Sequence, residues 1–184
     1  MKIRLGAILA VLFAFSIATV RAATPVEPSP LPPPKRPDFT PFSFLIGTWS
    51  CTSTESDRPA REPWTTTWRL DPDGYWLVGE SVYPPVKWFP YEDRVQQRIT
   101  FDAGAKLWIY ENWHSLGGYN LYASPGFIGN TAVWTDRSFL PNGETRAISS
   151  YTFKRIGERR YTGTFALTTE KGSVIAVHDA CTKS

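Results

Sequence analysis

Aromatic residues are the most plentiful chemistry-bearing side chains here: eight tryptophans, eight tyrosines and eleven phenylalanines among 184 residues. Trp49, Trp64, Trp68, Trp108 and Tyr110 lie in alternating segments, where one face of a strand turns inward. Such rings either fill a core or line a cavity, since each presents a large apolar face and several carry a polar tip. These five are the candidate ligand-binding residues. The acids Glu80, Glu111 and Asp136 also stand in strand-like segments. Turned into a cavity, each would have its pKa raised by burial and could pass a proton. Turned outward, each is an ordinary solvated charge, the commoner arrangement.

Two histidines and two cysteines complete the reactive set. His114 lies in a glycine-rich loop and His178 near the end of the last strand. Two histidines cannot make a His-rich zinc site, and Cys51 and Cys181 lack Cys-x-x-Cys spacing. Neither a Gly-x-Ser-x-Gly elbow nor a phosphate-cradling glycine loop is present. The sequence therefore identifies no catalytic set and no metal site, and it points to binding rather than catalysis.

The N-terminus has the pattern of an export signal. Lys2 and Arg4 precede an apolar run from Leu5 to Val20, and Val20-Arg21-Ala22 offers small or aliphatic residues at the cleavage positions. Cleavage is expected after Ala22 or Ala23, giving a secreted or periplasmic protein. A run of about 16 residues falls short of the roughly 20 a membrane span needs, so no stable span is expected in the mature chain. The first 22 residues contain Lys2, Arg4 and Arg21 and no acid, so 17 basic and 17 acidic side chains remain. That balance gives no global electrostatic reason to bind nucleic acid. In an oxidising compartment, an even cysteine count reads as one disulfide. A bridge from Cys51 to Cys181 would tie the first strand to the last and, in the loop-entropy model, contribute on the order of 4–5 kcal/mol.

Residues 23–41 form a spacer, with eight prolines between positions 25 and 41. The folded unit is expected over 42–184, with a short helical turn before residue 45 covering one end. Alternating segments follow at 45–52, 64–70, 75–83, 95–101, 107–113, 119–123, 131–139, 146–153, 160–169 and 173–181. Short turns join them, among them Asp71-Pro72-Asp73-Gly74, Leu140-Pro141-Asn142-Gly143 and Lys171-Gly172, with turn-forming residues in place. About ten antiparallel strands linked in this way predict an all-β, up-and-down barrel. Its interior is wider than side chains alone must fill.

At Phe44-Leu45-Ile46-Gly47-Thr48-Trp49 the chain resembles the calycin group, in particular bacterial lipocalin-like domains that open with Phe-Leu-x-Gly-x-Trp. Nitrobindins, ten-stranded haem-binding barrels, start similarly. The resemblance implies a lipocalin-like barrel that holds a small, largely apolar molecule. It also singles out His178 as the one position matching a haem axial ligand. Strand alternation sets His178 opposite Cys181, however, so no cofactor is expected. Two alternatives stand beside the binding protein. One is an enzyme of the same shape, an isomerase or hydrolase, that uses a cavity carboxylate or His114; the other is an envelope interaction module without a ligand.

Overall fold

The computed structural model describes residues 32–136, 146–169 and 172–184. The expected export signal of residues 1–22, the expected spacer up to residue 31, the Leu140-Pro141-Asn142-Gly143 turn and position 171 lie outside that range.

Residues 32–39 have no regular secondary structure, and a 3-10 turn follows at Thr40–Leu45. Pro41 suits the start of this turn because its missing N–H needs no partner there. Eleven strands come next among the described residues. They are β1 (Gly47–Glu55), β2 (Arg58–Leu70), β3 (Leu77–Tyr83), β4 (Asp93–Asp102), β5 (Leu107–His114) and β6 (Tyr119–Ser124). After them run β7 (Phe127–Ile128), β8 (Thr131–Asp136), β9 (Arg146–Gly157), β10 (Arg160–Thr169) and β11 (Val174–Lys183). Except for β6 and β7, strands consecutive in sequence are neighbours in the sheet; β1 pairs with β11, and β6 pairs with β8. The result is a closed, antiparallel, up-and-down barrel of ten strands, with the two-residue β7 attached beside β8. Lys35–Ser184 form one compact unit.

The strands follow the expected segments with shifted ends, β9 for example running on to Gly157 rather than residue 153, and the largest differences fall at β2 and at the connection before β8. β2 begins at Arg58 rather than residue 64, because a turn at 56–57 brings Arg58 opposite Glu55. Its prolines look like loop residues, yet residues before Thr65 pair with β1 alone. Such an edge position tolerates a missing backbone donor. The connection at 125–130 contains β7, too short to show a period.

Alternation settles which side chains face inward. Along β2, Trp64, Thr66 and Trp68 are buried while the residues between them are exposed, and β11 buries Ile175, Val177, Asp179 and Cys181 in the same way. One end of the barrel is sealed by the 3-10 turn. Phe42 is 1% exposed and packs against Trp108, Phe127 and Trp134 at centroid distances of 4.6, 5.2 and 5.9 Å. Trp49 lies beneath, fully buried, and its Nε1–H donates to the Leu45 carbonyl at 2.7 Å. Gly47, at φ 121°, makes the bend that carries the chain from the seal into β1. Lys183 clamps this corner from β11: its ammonium donates to the Phe44 carbonyl at 3.1 Å and stands 5.4 Å from the Trp49 ring centre. Across the β1–β11 seam, Cys51 and Cys181 are directly opposed and joined by a disulfide.

Candidate functional site

Inside the barrel lies a cavity of about 170 Å³. Its floor is the seal, represented by Phe42 and Leu45, and its walls carry Trp64, Trp68, Tyr110 and Trp134. Strand directions put the polar lining towards the opposite end, near the loops at 84–92 and 115–118. There His114, which closes strand β5 rather than standing in the glycine-rich loop expected from the sequence, and Asn120, both half-buried, bring the cavity to the surface.

Asp179 is the charged group of this interior. It is 8% exposed, lines the cavity and accepts a 2.5 Å hydrogen bond from the Ser53 hydroxyl. Ser53 in turn accepts from Trp64 Nε1 at 2.9 Å, which fixes the direction of its own proton. Burial raises the Asp179 carboxyl to about 6, Ser53 opposes the rise, and Glu55 adds to it. Tyrosines surround this acid. Trp64 stacks on Tyr83 at 4.9 Å, and Tyr161 stacks on Phe153 at 4.5 Å. Tyr151 lies across Gly163, where a Cβ would come within 2.7 Å of its ring; Gly163 is the cross-strand neighbour of Asp179. Burial, reinforced by the Asp179 charge, holds the phenols of Tyr83, Tyr151 and Tyr161 well above their ordinary value. Tyr110 is pushed up to about 12, again mainly by burial. All four phenols therefore stay neutral at physiological pH.

A second polar group completes the walls. Tyr110 donates to Gln97 Oε1 at 2.7 Å, and Gln97 donates to Ser81. Asn120 donates to Asn112 at 2.7 Å. Nδ1 of His114 lies 2.7 Å from Asp93 Oδ2, so the acceptor-only carboxylate sets the proton on Nδ1. Thr66 is the exception. Its hydroxyl oxygen is buried on the cavity wall and has no hydrogen-bond partner among the described residues.

The sequence candidates divide by position. Trp64, Trp68 and Tyr110 stand on the cavity wall. Trp49 and Trp108 are buried in the seal, where Trp49 meets Phe44 and Tyr161, and Trp108 meets Phe39, Phe42 and Phe101. Glu80 is exposed on the outer face beside Arg94, 3.3 Å away. Glu111 alternates with the inward Tyr110 and Asn112, and Asp136 sits opposite Tyr122 at the β6–β8 seam. None of the three acids lines the cavity. His178 is exposed, on the outer face of β11. It does not fit a haem ligand, and the cavity is on the scale of a single ring rather than a porphyrin. No cluster of three or more His, Cys, Asp or Glu among the described residues is arranged to hold a metal ion. Sequence reading missed Asp179 and Lys183. The signal for Asp179 was its position two residues before a cysteine that must face its partner.

No protein-family model matches this chain, and no curated protein matches it significantly.

Proposed function

We propose that this is an exported, lipocalin-like binding protein that takes one small, largely apolar molecule into its barrel. The observation that carries this reading is an aromatic cavity of about 170 Å³, closed on one side by the Phe42 seal. An engineered apolar cavity of about 150 Å³ admits benzene, whereas drug-sized ligands need roughly 300–1,000 Å³. The ligand is therefore about one ring or a short branched chain, with its apolar part on the floor and any polar group towards Asp179. Export is supported by the basic start and apolar run of residues 2–20 and by the Cys51–Cys181 bridge. Native mass spectrometry of the mature protein, purified without detergent, tests the reading. An added mass that leaves on denaturation is expected. A bare mass, together with an unfolding temperature unmoved by small aromatic compounds, would refute it.

A second reading rests on Asp179 itself. A carboxyl whose pKa lies near 6 within a cavity is suited to general acid–base catalysis. This enzyme reading requires turnover that Asp179→Asn abolishes while binding persists. Binding without turnover leaves the carrier reading alone.

A further inference from the structure

Charge at the cavity wall is unbalanced. None of the ion pairs among the described residues involves Asp179, and its hydrogen-bond donor is the single Ser53 hydroxyl. An ionised carboxylate has about four acceptor positions, so most of those on Asp179 have no donor among the described residues. Burying a charge without a partner is costly, and proteins ordinarily supply one. Here the surroundings offer aromatic faces instead. Trp64 is tied to Asp179 through Ser53 and stacks on Tyr83, while Tyr151 covers the glycine beside Asp179. Ring faces attract cations, and a cage of Trp and Tyr is the usual setting for an organic ammonium. On the same wall, the unpartnered Thr66 hydroxyl adds a polar atom for a ligand to engage.

We propose that the ligand is a small organic cation, a protonated amine on a body of about one ring. Its nitrogen is held by Asp179 and enclosed by Trp64, Tyr83 and Tyr151. This proposal rests on the cavity being a ligand site and adds the charge of what fills it. An ammonium supplies both what the acid lacks, N–H donors and a compensating charge, and what the ring faces attract. A neutral isostere supplies neither in full, and a carboxylate meets like charge.

Three probes of one shape separate the cases: benzylammonium, benzyl alcohol and benzoate, titrated calorimetrically into the disulfide-intact mature protein at pH 7.5. Benzylammonium is expected to bind at least tenfold more tightly than benzyl alcohol, and benzoate more weakly than either. Asp179→Asn is expected to erase the ammonium preference while benzyl alcohol still binds. Near-ultraviolet circular dichroism verifies that the variant is folded; if it is not, the wild-type ranking decides. Equal binding of the ammonium and the alcohol, or a preference that survives in folded Asp179→Asn, overturns the cation assignment and leaves the binding-protein reading standing. Binding of none of the three overturns both.

Discussion

With burial holding its pKa near 6 against an ordinary 3.8, Asp179 couples the stability of the fold to pH. The folded state keeps this proton to a higher pH than the unfolded chain does. Its contribution is therefore most favourable below about pH 3.8 and is lost as pH rises through 6, by about 3 kcal/mol at most. The groups around it are Ser53 and Glu55 from β1, Tyr83 from β3, Tyr110 from β5, Tyr151 from β9 and Tyr161 from β10, none of them a cation. Denaturant titrations of wild type and Asp179→Asn between pH 4 and 8 measure the effect. The variant's advantage is expected to grow with pH and level off above 7, and parallel curves would refute the assignment. Asp179 was only half legible in the sequence. Alternation from an inward Cys181 puts residue 179 inward, by the same count that puts His178 outside. Nothing local, however, separates this acid from the sixteen others. What distinguishes it arrives from β1, β3 and β9, strands far away in the chain.

At the scale of elements, the 3-10 turn and β1 were readable together, because Phe44, Leu45, Gly47 and Trp49 carry bend, seal and strand within six residues. The sequence did not reveal how deep the seal runs. Trp49 and Trp108 look like wall residues in a period-2 pattern, and packing under Phe42 and Phe44 makes them the barrel's plug. A plug of this kind contributes to stability as well as shape. Phe42→Ala, which leaves a void among Trp108, Phe127 and Trp134, is expected to cost about 3–5 kcal/mol and to lower the unfolding temperature accordingly. A loss below about 1 kcal/mol in a urea titration would show that the seal is dispensable.

For the whole molecule, closure is uneven around the ring. The β1–β11 seam pairs seven residues on each side and carries the disulfide. The β6–β8 seam pairs two, Tyr122 with Asp136 and Ala123 with Thr135, among the described residues. Local opening follows the weakest contacts, so amides of β6 and β8 are expected to exchange with deuterium before those of β1 and β11. Uniform protection around the ring would contradict this. The covalent seam also bears on the order in which the chain is made. Cys51 leaves the ribosome 130 residues ahead of the cysteine it bonds, and β1 waits as long for its second neighbour. Until β11 emerges, the nascent protein can grow only as a row of hairpins with an open edge and an unpaired thiol. Formation of the Cys51–Cys181 bond is thus a chemical record that the last strand has arrived, and a chain released early lacks it.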